Sequence, residues 1–386
     1  MPKRFYDIIV VGAGPSGSVC ATRTAEAGLS TLVLEQHHAA GEFVNCTGII
    51  GAEAFDLLEL PRETILSSLG SLTFISPSGK RFHYDPDASL AHIVCRKKFD
   101  STLANIATRA GAQFQYGVRA RSLKVDTSGV EVDLGDGQDP LRANAIVIAT
   151  GFGTNLPQQV GLKNPPHIIY GVQAEVPMTE MQSTEIYVGN QVAPHSFAWV
   201  VPVGEGRARV GMTVPKHAPH YFEQFMRSAH VFPRLQTNEW KMQLSLVPLG
   251  MMPRSYTDRV LVVGEAAGQV KTTTQGGIYY GMLCATFAAE VLREAAAKKD
   301  FGRKALSRYE RLWQRKIGPE IRAGEHLRQL LTRLSDERLD ELIALGTNNE
   351  VVDLVRKIAK FDWHKDIILS SLRLPILKEL VRMGRF

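Results

Sequence analysis

Asp7-Ile-Ile-Val-Val11-Gly12-Ala-Gly14-Pro15-Ser16-Gly17 decides how the rest of this chain is read. A run rich in β-branched residues passes straight into G-x-G-x-x-G, and a helix-compatible segment, Ser18–Ala27, follows. Each glycine answers a separate demand: Gly12 permits a tight turn, Gly14 lets the backbone approach a pyrophosphate, and Gly17 lets helix and strand pack closely. Pro15 and Ser16 lead into a helix whose N-terminus offers unpaired N–H groups and a positive dipole end to phosphate. A second apolar run, Thr31-Leu-Val-Leu34, ends in Glu35, eighteen residues after Gly17. An acid at that distance holds a ribose 2′-hydroxyl and repels a 2′-phosphate. Strand, turn, helix, strand and acid in register predict a dinucleotide site at the head of an α/β, Rossmann-type domain.

A chain of 386 residues with 44% apolar composition is long enough for two or three units with sizeable cores. No apolar run approaches the roughly 18 residues of a membrane-spanning helix, and the residues ahead of the first strand are too few and too polar for a secretory leader. Cys20, Cys46, Cys95 and Cys284 show no C-x-x-C spacing. Neither a zinc site nor a disulfide framework is expected, and a reducing cytoplasm is the default. The formal charge of +6 suits nucleotide phosphates, an anionic membrane surface or an acidic electron carrier. Without an RNA-binding motif, a basic heptad region or zinc-finger spacing, nucleic acid is not indicated.

Gly41 to Ile50 reads as a loop leading to a helix near Ala52. Leu72–Ser76 and Arg81–Tyr84 read as a hairpin across Pro77-Ser-Gly79-Lys. Ile93–Cys95 and Arg96 lead to a helix, Phe99–Ala110, closed by Gly111. Ala120–Asp133 reads as paired strands, with Ser128-Gly129 between them. Ala145–Ala149 is an apolar run ending at Thr150-Gly151, as a buried parallel strand at the edge of the nucleotide site would. Gly171–Val176, Ser183–Val188, Phe197–Val201 and Ala208–Thr213 predict an antiparallel sheet. From Ile278 the pattern is helical, with separate helices at 303–316, 325–334, 336–345 and 350–360. The stretch 367–386 combines many Leu and Ile with Lys378, Arg382 and Arg385. It is expected either to pack on the body or to touch a membrane surface.

A second arm answers the first. Arg259-Val-Leu-Val-Val-Gly264-Glu265-Ala-Ala-Gly268, followed by Gly276-Gly277-Ile278, places an acid at a strand end and a helix N-terminus beyond it. That arrangement suits FAD: the acid reaches ribityl hydroxyls, and the turn and helix approach the second phosphate and the flavin pyrimidine edge. With these features the chain resembles the geranylgeranyl reductase family, within the para-hydroxybenzoate hydroxylase-like FAD fold. The resemblance runs through the fingerprint, Cys46-Thr-Gly48-Ile, Arg96 with Phe99-Asp100, the Gly264–Ile278 arm, and Pro194-His195-Ser-Phe197-Ala-Trp199-Val-Val-Pro202. The last is similar to the family's P-x-x-Y-x-W-x-F-P, with Phe197 for Tyr and Val201 for Phe. Glu265 stands where the family generally has Asp, and Thr150 replaces an acid often found there.

The resemblance implies a Rossmann-type FAD-binding domain from residues 1–68, 96–165 and 255–300. An interleaved antiparallel-sheet substrate domain would come from 69–95 and 166–254, and a helical C-terminal region from 301–386. It implies FAD held by Gly12, Gly14, Pro15, Ser16, Gly17, Glu35, Gly48, Arg96, Thr150, Gly151, Gly264, Glu265, Gly268, Gly276, Gly277 and Ile278. It also implies reduction of isolated C=C bonds in an isoprenoid chain carried by a lipid, a chlorophyll precursor, a diphosphate or a quinone. Such an alkene has no carbonyl to absorb negative charge, so protonation precedes or accompanies hydride delivery from flavin N5. The aromatic faces of Trp199 and Phe197 can stabilise the resulting cationic carbon. Cys46, on a loop the family places beside the flavin, is a candidate proton donor, with His195 as the other; a thiol near a pKa of about 8.5 is protonated at neutral pH. With no second nucleotide fold, NAD(P)H docking transiently and reduced ferredoxin are equally open as donors. Two other classes share the scaffold: a flavin-dependent monooxygenase or halogenase, because Trp199-x-x-Pro202 is similar to W-x-W-x-I-P, and a lipid-binding protein that keeps FAD without turnover.

Overall fold

The computed structural model describes residues 5–135 and 137–371. Their contacts form two compact units. One takes the residues through Val44, Arg96–His167 and Pro248–Ile321; the other takes Asn45–Cys95, Ile168–Val247 and the residues from Arg322 on.

The first unit is built on a sheet in the order Tyr256–Thr257, Val260–Val262, Leu141–Ile148, Phe5–Val11, Thr31–Glu35 and Gln113–Tyr116. The last five run parallel, with Val11 beside both Leu34 and Ile148, and Ile148 beside Val262. The central strands carry runs of Val, Ile and Leu, as strands covered on both faces must, and Ile8, Ile9, Val10, Val147 and Val262 are fully buried; the edge strand Gln113–Tyr116 is polar and partly exposed. The paired strands Ser122–Val125 and Val130–Asp133 lie antiparallel beside Leu141–Ile148. The helix after the fingerprint spans Pro15–Glu26, starting earlier than the sequence suggests because Pro15 occupies its first turn. It packs against Ile278–Lys298 and Arg96–Arg109.

The two helices expected at 303–316 and 325–334 are one continuous helix, Arg303–Leu331, with Pro319 inside it. A proline removes one backbone donor and favours a kink. Here Leu306, Tyr309, Trp313, Ile317 and Ile321 form an unbroken buried stripe at three- and four-residue spacing, and that packing outweighs the lost bond.

In the second unit a seven-stranded sheet runs in the order Gln243–Leu249, His167–Pro177, Arg207–Val214, Phe197–Gly204, Thr184–Val188, Leu72–Ile75 and Arg81–Tyr84. The antiparallel expectation holds from His167–Pro177 across to Thr184–Val188 and fails at one seam, where Thr184–Val188 meets Leu72–Ile75 in parallel. The hairpin there comes from a distant part of the chain, so turn geometry does not dictate its direction. Ile49–Gly51, Ala91–Val94 and Ile65–Leu69 form a smaller sheet. Short or polar strands at Ile65–Leu69, Gln113–Tyr116 and Gln243–Leu249 carry too little pattern to be read from sequence; the helix Ala218–Met226, not expected above, does carry its buried Ala218, Phe222, Phe225 and Met226 at helical spacing.

Alternation sorts the large sheet into two faces. Thr73, Glu185, Val200, Val210 and Ala174 are successive cross-strand partners on one face; Phe74, Ile186, Trp199, Gly211 and Gln173 are partners on the other. The later helices are Asp336–Ala344, Asn349–Ile358 and Lys365–Ser371. Residues 372–386, which carry most of the stretch with the membrane alternative, lie outside the described residues.

Candidate active site

In the first unit the geometry follows from parallel strands in register. Phe5–Val11, Thr31–Glu35, Leu141–Ile148 and Val260–Val262 all end on one edge of the sheet. Their carboxyl ends lead to Gly12–Gly17, Glu35, Thr150-Gly151 and Gly264-Glu265, so residues scattered over more than 250 positions of sequence share one edge, where open α/β sheets bind ligands.

A Cβ on Gly12, whose φ is +107°, would come within 2.5 Å of the Ala149 carbonyl oxygen, and one on Gly17 would run into the Gly12 carbonyl oxygen. Neither position tolerates a side chain. Gly14 is the opposite case: a Cβ there would meet nothing within 4 Å, so this backbone faces open space at the start of Pro15–Glu26. Glu35 closes the turn, accepting from the Ala13 N–H (2.8 Å) through one oxygen and from the His37 N–H (2.9 Å) through the other.

The second arm is held by a buried polar chain. Gln269 accepts from the Gly264 N–H (2.7 Å) and donates to the Tyr309 hydroxyl (2.7 Å), which donates to the Val262 carbonyl (2.8 Å). Gly264 is left-handed, and a Cβ on it would meet the Ser16 hydroxyl at 2.8 Å; the two arms therefore touch. Gly268, also left-handed, would strike the Gly250 carbonyl oxygen if substituted. The Glu265 carboxylate lies between two glycine loops: Oε1 is 3.5 Å from the Cβ position of Gly277, and Oε2 is 3.9 Å from that of Gly151. Burial pushes its pKa up, and the charge of Arg96 opposes that shift. Arg96 is fixed by a two-pronged bond to the buried Asp100 (2.9 and 2.9 Å). Thr150 turns its hydroxyl to Thr154 (3.0 Å). Gly276-Gly277 precede a helix of 21 residues, Ile278–Lys298. A glycine cradle facing open space, two helix N-termini and two separated carboxylates fit a dinucleotide with a polyhydroxyl linker, as FAD has.

Cys46, Gly48, His195, Phe197 and Trp199 fall in the second unit. Phe197 and Trp199 lie on the same face of their strand, ring centroids 5.8 Å apart. The indole lies across Gly211, where a Cβ would meet its Cζ2 at 2.5 Å and the Gln173 Cβ at 2.8 Å. Trp199 Nε1 is buried without a hydrogen-bond partner among the described residues. Cys46 is half-buried, and its Sγ accepts from the Gly48 N–H at 3.4 Å. Next to it, Thr47 donates to Gln173 Oε1 (3.1 Å), and its carbonyl accepts from Arg209 (2.6 Å). The row of Trp199 and the Cys46 loop are thus joined through Gln173. His195 is exposed, with its Nδ1 2.8 Å from the Thr332 carbonyl, and no described contact links it to that row.

Gln173, Arg209 and Gly211 were not singled out from sequence. Gly211 carries a signal, because glycine inside a strand often marks a close approach. A polar cavity of about 570 Å³ lined by Thr73, His83, Glu185 and Arg234 also lies in this unit. Register puts Thr73 and Glu185 on the sheet face opposite Trp199, so the cavity is separate from the aromatic row.

Residues 83–295 match the family model of FAD dependent oxidoreductases, and residues 10–45 match that of NAD(P)-binding Rossmann-like domains. The chain is 33% identical to the digeranylgeranylglycerophospholipid reductase of Methanocaldococcus jannaschii, over 95% of this chain and 97% of that one. A geranylgeranyl bacteriochlorophyll reductase-like protein from Thermoplasma acidophilum superposes with a TM-score of 0.85 at 24% identity, covering 98% and 99% of the two chains. A halogenase variant solved in complex with FAD superposes at 0.68 and 15% identity, covering 98% and 96%, and shares the fold alone.

Proposed function

The chain belongs to the geranylgeranyl reductase family of FAD-dependent oxidoreductases, and we propose that it saturates isolated C=C bonds in the geranylgeranyl chains of a glycerophospholipid. The observation that carries this reading is the identity to a digeranylgeranylglycerophospholipid reductase over nearly the whole of both chains. The glycine cradle and its two carboxylates support the cofactor assignment.

Bound and reduced, FAD supplies a hydride from N5. Gly12–Gly17 and the following helix end would hold the pyrophosphate, Glu35 one ribose, and Glu265 with Gly151, Gly268 and Gly276–Ile278 the ribityl and pyrimidine side. Cys46 supplies the proton. Its sulfur accepts from the Gly48 N–H, which engages a lone pair and leaves the S–H as the donor. As the proton adds to one alkene carbon, positive charge grows on the other, and the faces of Trp199 and Phe197 stabilise it through their quadrupoles. The electrons come from NAD(P)H or from reduced ferredoxin.

Among the described residues no helix is long and apolar enough to cross a membrane. The test is anaerobic: holoenzyme is reduced, mixed with a glycerophospholipid bearing geranylgeranyl chains, and followed by flavin absorbance and lipid mass. The expected result is flavin reoxidation with a gain of two hydrogens per double bond. No reoxidation refutes the proposal, and a hydroxylated or halogenated product in a parallel assay with oxygen and halide would move the protein to another flavoenzyme class.

A further inference from the structure

We infer that Gln173 and Arg209 are positioning residues that lock the Cys46-Thr47-Gly48 loop against the row of Trp199, an inference that rests on the proton-donor role proposed for Cys46. Residues 44–48 have no regular secondary structure. Such a segment holds one conformation only if side chains from elsewhere satisfy its polar groups, and the large sheet supplies two. Gln173, only 5% exposed, accepts from the Thr47 hydroxyl at 3.1 Å. Arg209, 8% exposed, donates from Nη1 to the Thr47 carbonyl (2.6 Å) and to the Val94 carbonyl (3.2 Å), and from Nε to Glu175 (3.1 Å).

The second fastener ties three pieces together: the loop, the strand Ala91–Val94 of the small sheet, and the strand His167–Pro177 of the large one. Only a guanidinium has the rigid fork for this; a lysine keeps the charge and loses the simultaneous reach. Alternation puts Arg209 on the same face of its strand as Gly211, opposite the apolar Ala208, Val210 and Met212.

Gln173 does a second thing. It is the cross-strand partner of Gly211, which is in turn the partner of Trp199. Its Cβ and the indole Cζ2 both crowd the space that a Gly211 side chain would fill. One side chain therefore touches the aromatic row and bonds the residue next to Cys46. A shift of either is transmitted to the other through close-packed groups.

The test uses holoenzyme of Q173M, T47V, the double variant and R209K. Two quantities are read: the rate of Cys46 carbamidomethylation by iodoacetamide, located by peptide mass spectrometry, and the split of kcat and KM for the geranylgeranyl lipid. Q173M and T47V should each change the Cys46 modification rate by about tenfold, and together by no more than either alone, because they delete one shared bond. The kcat should fall with KM little changed, and R209K should behave as Q173M does. Equal modification rates in all variants, or effects of Q173M and T47V that multiply, overturn the inference. Should R209K fail to fold, the Q173M and T47V pair still decides. C46A separates the two ideas: full turnover in C46A ends the proton-donor reading, while the modification rates still decide whether Gln173 positions the loop.

Discussion

Placing a methyl group on Gly211 is the sharpest single perturbation of the aromatic row. The Cβ of Gly211→Ala would stand 2.5 and 2.6 Å from Cζ2 and Cε2 of Trp199 and 2.8 Å from the Gln173 Cβ. Ordinary contact needs about 3.5–4.0 Å, so roughly 1 Å must be found on two sides at once. An indole is rigid and cannot fold one atom away, so the whole ring must tilt off the sheet. Overpacking of this kind costs about 1–3 kcal/mol. A reacting group displaced by about 1 Å loses about a hundredfold in rate. Urea unfolding should report the first effect, and single-turnover reoxidation of the reduced flavin by the prenyl lipid the second. FAD affinity should stay near that of the parent, because the glycine cradle belongs to the other unit. A variant with parental stability and parental single-turnover rate would falsify the reasoning, since the indole would then have had room to spare.

Gly17→Ala should weaken FAD binding by about tenfold or more, because its Cβ collides with the Gly12 carbonyl oxygen and must open the turn; flavin retained through gel filtration at parental stoichiometry would contradict this. Glu265→Gln should stabilise the FAD-free protein at neutral pH. Burial raises this carboxyl from 4.5, so the folded state binds the proton more tightly than the unfolded one, and the cost of ionising it in place grows as pH rises above the ordinary value. The advantage of the glutamine should therefore shrink toward zero as pH falls into the ordinary glutamate range; a gain that does not vary with pH in urea titrations rules this origin out. Glu185→Ala strands Arg234, whose Nη1 lies 2.7 Å from the Glu185 carboxylate with side chains 12% and 9% exposed. The expected loss is about 3–5 kcal/mol, and a loss below about 1 kcal/mol in chemical denaturation would show that the pair is solvated in solution.

How much could be read in advance varied with the range of the interactions. The fingerprint declares itself because its demands are local: Gly12 and Gly17 are excluded from bearing side chains by backbone atoms a few residues away or on the adjoining strand. The buried strands Phe5–Val11 and Leu141–Ile148 announce themselves by the apolar runs at 8–11 and 145–149. The break expected between residues 316 and 325 was wrong because five side chains buried along Arg303–Leu331 hold it as one helix through Pro319, and burial is a tertiary quantity. The parallel seam between Thr184–Val188 and Leu72–Ile75 was invisible for the same reason: no turn connects those strands.

From its residues alone this chain specified a nucleotide-binding edge, a flavin-type second arm and an aromatic strand, because each is written in short runs whose spacing is set by the periods of helix and strand. The fold alone decided that Glu265 lies between the loops of Gly151 and Gly277, that Arg209 bonds the Cys46 loop, and that the missing side chain of Gly211 lets Trp199 lie across its strand toward Gln173. Those relations join residues up to 162 positions apart. They depend on strand order and register, which the packing of the whole molecule settles and no local pattern encodes.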